Sequence, residues 1–202
     1  MIESLHLYFN AFRNYSDVND QSERKLSYLE LMGISWSLHL LYAFYSVFAL
    51  YLGVKSYTYF SGSKDFAHLA LESFSFKFQK ITLLTTLFGV IFYPFLFQFA
   101  YKFWKGAFKF YANIFDYEDQ LLEEKADEIL NTAFSANLFL ILPIIGNILS
   151  NIALAFFLFQ GMKRKYEFTS LQASLVIITP LFLLFLFSIF SASYFLFLFT
   201  LL

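Results

Sequence analysis

Apolar residues in this chain gather into long runs and do not alternate with polar ones. Three stretches, 31–54, 81–101 and 173–202, contain no charged residue. A helix crossing the hydrocarbon core of a bilayer needs about 20 apolar residues at about 1.5 Å each, so each stretch predicts a membrane-spanning helix. Pro94 and Pro180 lie inside two of them. Neighbouring helices and hydroxyl side chains satisfy the carbonyl that a proline frees, so both residues predict kinks and not ends. A fourth uncharged stretch, 129–161, would reach roughly 50 Å as one helix, too long for a comfortable crossing. Pro143 and Gly146 form a turn signal within it, which divides the segment into two short crossings at 127–142 and 145–161. The alternative is a single long tilted helix.

The polar segments complete the pattern. Ile2, Leu5, Phe9 and Phe12 recur at helical spacing ahead of Arg13, which predicts an amphipathic helix on the membrane surface within segment 1–30. Apolar side chains at 66–79 predict a second interfacial helix in the first loop. Segment 102–126 joins the second and third spans and is acidic. The fold class expected is therefore all-α, one polytopic membrane bundle over 1–202, with five transmembrane helices (four in the alternative) and interfacial helices beside them.

Composition supports this reading. The chain is 59% hydrophobic and 14% charged, against about a quarter charged in ordinary soluble domains. Fourteen basic residues against 15 acidic ones leave no basic surface for nucleic acid. The absence of cysteine excludes disulfides, thiolate nucleophiles and cysteine metal sites. The acids Glu3, Asp17, Asp20 and Glu23 lie ahead of the first apolar run, unlike a cleaved secretory signal, so that run is expected to be retained.

Positive charge sets the expected orientation, because cytoplasmic loops are rich in Lys and Arg. Four crossings divide the basic residues evenly. With five crossings and a cytoplasmic N-terminus, the inside receives Arg13, Arg24, Lys25, the lysines at 102, 105, 109 and 125, and the triplet 163–165, while the outside keeps Lys55, Lys64, Lys77 and Lys80. Ten against four favours five crossings, with the C-terminus on the opposite side.

Polar side chains inside hydrocarbon are costly, and the candidates are His39, Gln98, Asn137, Asn147 and Asn151. They line a polar path or make interhelical hydrogen bonds. His39 is the titratable group well inside a span, whereas proton relays string several such groups together. Three histidines at 6, 39 and 68 lack metal-ligand spacing, and no zinc-protease, phosphate-loop or nucleophile-elbow motif occurs, so neither a cofactor nor a metal is expected. The acids Asp116, Glu118, Asp119, Glu123, Glu124, Asp127 and Glu128 either cap the bundle by pairing with Lys102, Lys105 and Lys109 or form a docking surface for a basic partner. Lys163, Arg164 and Lys165 fit anionic lipid headgroups and fix orientation.

The residues 142–149 (Leu-Pro-Ile-Ile-Gly-Asn-Ile-Leu), 157–163 (Phe-Leu-Phe-Gln-Gly-Met-Lys) and 165–173 (Lys-Tyr-Glu-Phe-Thr-Ser-Leu-Gln-Ala) resemble the membrane domain of the Yip family of Rab-interacting membrane proteins and their bacterial relatives. The matching features are an apolar Pro-x-x-Gly break, a helix ending in Gly-Met, a short polar turn and an alanine at the entry to the last span. They cover about 45 residues. The acidic insert at 116–128 departs from the pattern, and about 30 residues precede the first span, so the eukaryotic Rab contacts have no counterpart to be carried onto. The resemblance implies a five-helix fold and a non-enzymatic role in membrane organisation, trafficking or protein recruitment, with membrane lipids and a protein partner or further copies of the chain as associates. A small transporter or channel is the alternative, and a lipid-acting membrane enzyme a third.

Overall fold

A computed structural model describes residues 2–13, 26–60, 76–117 and 120–201. Six α-helices and one 3-10 segment make up the fold, with no strand among the described residues: α1 (Ile2–Arg13), α2 (Tyr28–Phe60), α3 (Phe76–Ile114), α4 (Leu122–Phe134), the 3-10 segment (Ser135–Ile141), α5 (Gly146–Lys165) and α6 (Ser170–Leu201). Three helices are long and apolar enough to span a membrane, over Tyr28–Gly53, Lys80–Ile114 and Ser170–Tyr194. They coincide with the three uncharged stretches, and Pro94 and Pro180 lie within continuous helix as expected.

Two of these helices start at capping boxes, in which a side chain and a backbone amide satisfy each other reciprocally across the first turn. At α2 the Ser27 amide donates to Glu30 Oε2 (3.0 Å) and the Glu30 amide to Ser27 Oγ (3.3 Å). At α6 the Thr169 amide donates to Gln172 Oε1 (2.9 Å) and the Gln172 amide to Thr169 Oγ1 (3.3 Å). Helix α3 stops where Asp116 turns left-handed (φ 52°), which lets the Tyr117 amide reach back to the Ala112 carbonyl at 2.9 Å.

The uncharged stretch 129–161 is a hairpin. The chain reverses at Leu142–Ile145, as Pro143 and Gly146 predicted, and the single tilted helix is not formed. The first arm departs from its expected boundaries. Helix α4 starts at Leu122, not 127, because its acids lie along the bundle, and the arm finishes as 3-10 turns through Ile141. Two glycines set the spacing of the arms: a Cβ on Gly146 would collide with the Phe139 carbonyl oxygen, and one on Gly161 would lie 2.8 Å from Ile129 Cγ2.

Helix α1 forms as predicted. Ser4 and Tyr8 are buried against the bundle and Phe12 packs on Phe139 and Phe157, while Leu5 and Phe9 face outward. Hydrogen bonds to Glu30 and Ser35 hold the Ser4–Tyr8 face inward. The interfacial helix expected at 66–79 falls mostly outside the described residues, and α3 has already begun at Phe76.

Packing is concentrated at one end of the molecule. The buried side chains are Leu31, Ser35 and Ala43 on α2, Phe97, Tyr101, Trp104, Phe108 and Ala112 on α3, and Ala173, Val176 and Pro180 on α6, gathered around α1 and the hairpin. Beyond Ala43, Phe97 and Pro180, toward the other end, every described side chain of the three long helices is exposed or half-exposed.

Candidate functional site

Four helices and the 3-10 segment each contribute one polar side chain to a chain of polar contacts inside the packed end. Tyr8 Oη on α1 donates to the Phe134 carbonyl at 2.8 Å and lies 3.1 Å from Ser35 Oγ on α2. Tyr93 on α3 lies beside Ser35. Asn137 Nδ2, on the 3-10 segment, donates to Tyr93 Oη at 3.1 Å, and Ser150 Oγ on α5 donates to Asn137 Oδ1 at 2.9 Å.

A hydroxyl has a single proton to donate, and this orders each part of the chain. Tyr8 spends its proton on the Phe134 carbonyl, so Ser35 donates to Tyr8, while Ser150 donates to Asn137 and Asn137 to Tyr93. The first part ends on a backbone carbonyl and the second on the Tyr93 hydroxyl. Burial pushes the Tyr8 phenol well above the usual tyrosine value, opposed by its hydrogen bond to Ser35. His39 stacks on the Tyr93 ring, with centroids 4.5 Å apart and planes at 21°, and Gly89 lies beside its Nε2.

Of the five predicted polar residues, the structure brings together two. Asn137 lies in the chain and His39 beside it. Gln98 lies on another face of α3, lining a shallow open depression with Phe95, Phe99, Lys102 and Phe103. Asn147 and Asn151 are exposed and bond within their own helix, Asn151 Nδ2 reaching the Asn147 carbonyl at 2.8 Å, so they do not join helices. Sequence reasoning missed Tyr8, Ser35, Tyr93 and Ser150. One signal was present: Ser35 and His39 are four apart and share a face of an otherwise apolar helix.

No family model, curated protein or solved structure matches the chain. Its residues alone therefore carry the functional argument.

The acidic helix packs against the lysines of α3. Asp127 holds Lys105 at 2.8 Å and accepts from Tyr101 Oη at 2.9 Å, Glu123 pairs with Lys109 at 3.4 Å, and Glu128 pairs with Lys165 at 2.7 Å. Two of the three predicted lysines take part, and Lys102 faces the depression beside Gln98. Asp116 and Glu124 are exposed, and Glu118 and Asp119 lie outside the described residues. In the basic triplet, Lys165 is taken by Glu128 and Lys163 lies 5.5 Å over the Phe159 ring. Among the described residues, no group of three or more His, Asp or Glu side chains is arranged to hold a metal ion.

Proposed function

We propose that this chain is a Yip-like integral membrane protein with a non-enzymatic role, organising the membrane by assembling with other proteins or with further copies of itself. The observation that carries the reading is the use made of the polar groups between its helices. They bond one another across helices, and one part of the chain they form ends on a carbonyl. An amide side chain at Asn137 interrupts any relay of protons along hydroxyls, so the chain acts as a lock between helices. The transporter reading keeps one favourable observation, the stacking of His39 on Tyr93. It loses Gln98, Asn147 and Asn151 as lining.

The N-terminus belongs on the cytoplasmic face with the ten basic residues, and the C-terminus opposite. The two arms of the hairpin count as the third and fourth of five crossings, or as one element that enters and leaves by the same face; the sidedness of everything else is the same. The packed, charged end is then the part a cytoplasmic partner meets. Asp116, Glu118 and Asp119 sit before α4, and a basic partner would dock there and on the outer face of that helix. Lys163 and Arg164 lie at the same level for anionic lipid headgroups.

The test is cross-linking in native membranes. Tagged full-length chain should give a discrete cross-linked species that is lost when Asp116, Glu118 and Asp119 are changed to Asn, Gln and Asn, with unfolding of the purified protein unchanged. A cross-linking pattern unaffected by these changes contradicts the docking surface.

A further inference from the structure

The depth of the hairpin shows how it meets the bilayer. Uncharged residues 31–54 of α2 and 81–101 of α3 each amount to about 30–36 Å of helix, the thickness of a hydrocarbon core. Tyr42 is at the middle of the first stretch, about 16 Å of helix beyond Leu31. Its hydroxyl donates to the Ile144 carbonyl, in the turn of the hairpin, at 3.2 Å. The turn therefore reaches the middle of the span, while α2 continues about 27 Å further to Phe60. At their other ends the two arms stand among charged pairs, Asp127 with Lys105 and Glu128 with Lys165.

The turn itself has the chemistry of a turn in hydrocarbon. No charged residue occurs between Glu128 and Lys163. Ile144 is 74% exposed, and Leu142, Ile145 and Ile148 are exposed beside it. In water these four would form an apolar patch with no cover. The carbonyls of the turn are bonded as a non-aqueous setting demands, where each unbonded group is costly. The carbonyls of Leu142, Pro143 and Ile145 accept from the amides of Gly146 (3.1 Å), Ile145 (2.8 Å) and Leu149 (3.0 Å), and Tyr42 serves that of Ile144. Pro143 has no amide proton to place.

We infer that residues 122–165 form a re-entrant hairpin, entering from the face that carries the ten basic residues and turning at the bilayer midplane, with Leu142, Ile144, Ile145 and Ile148 seated among lipid acyl chains. The chain then crosses the bilayer three times, through α2, α3 and α6. One leaflet holds those helices together with the hairpin, and the described parts of the other leaflet hold the three bare helices alone.

Single cysteines test this in the full chain, which has none of its own. Gln120→Cys and Ser63→Cys mark the two faces. In sealed vesicles a membrane-impermeant maleimide should label each from its own side. It should label Ile144→Cys and Ile145→Cys from neither, although both react after denaturation in SDS. A spin label at Ile145→Cys in liposomes should favour oxygen over a polar nickel reagent as strongly as one at Phe44→Cys. Labelling of either turn position from the Ser63 side would make the arms two true crossings and overturn the inference, while leaving the proposed organiser role standing. Labelling from the Gln120 side would place the hairpin outside the bilayer and overturn it equally.

Discussion

At the scale of single residues, the packed end depends on side chains that each have one proton to give. Replacing Asn137 by Leu leaves Tyr93 without its donor and Ser150 without its acceptor, and should lower stability by about 1–2 kcal/mol. Tyr8→Phe should cost a similar amount, about 1–2 kcal/mol, by freeing the Phe134 carbonyl. Unfolding in mixed detergent checks both. Tyr8 also predicts a pH dependence with a definite sign. Its folded-state pKa lies above an unfolded value near 10, so its contribution is complete below about pH 10 and is lost as pH rises toward the folded value. Between about pH 9 and 11 the wild-type chain should therefore lose more stability than Tyr8→Phe, and equal losses would contradict this placement. Sequence made Asn137 and His39 legible because polar residues stand out in apolar runs. It concealed Tyr8 and Tyr93, since a tyrosine among 31 Phe and 14 Tyr carries no mark of which hydroxyl is bonded.

At the scale of elements, the spans and the turn were legible, and lateral packing was not. Ser27-x-x-Glu30 and Thr169-x-x-Gln172 stand just before apolar runs and fit the pattern of a helix start, but only the structure picked them out. Glu30 does more than the pattern conveys, because its second oxygen accepts from Ser4 Oγ at 2.6 Å and ties α1 to the start of α2. Glu30→Ala should therefore release α1, seen as faster amide exchange across Ile2–Arg13 with α6 unaffected. Pro143 and Gly146 marked the turn, but the close approach at Gly161 depends on Ile129, which no local pattern reveals. Gly146→Ala drives a methyl group into backbone and should cost about 2–3 kcal/mol. Gly161→Ala meets only the Ile129 side chain, so it should cost less, and Ile129→Ala should restore part of the loss. Equal penalties in thermal unfolding, or no rescue, would contradict the packing of the arms. The 3-10 segment left no trace in the sequence, because residues 135–141 are apolar in a way that suits either helix.

At the scale of the whole molecule, hydropathy located three long helices, while the lopsided distribution of packing required the structure. Apolar runs of similar length give no indication that one end of α2, α3 and α6 is wrapped by α1 and the hairpin and the other is bare. That asymmetry suits a protein whose working part is its packed, charged end. It does not suit a conduit, which needs polar groups along its full length. The central claim is that the buried polar chain locks helices together and conducts nothing. Purified chain in liposomes loaded with a pH- or ion-sensitive dye tests this most directly, under an imposed gradient and potential. The account predicts flux no greater than in protein-free liposomes, for wild type and for His39→Leu alike. A wild-type flux well above that background, abolished by His39→Leu or Asn137→Leu in protein that remains folded, would contradict it and make the chain a transporter.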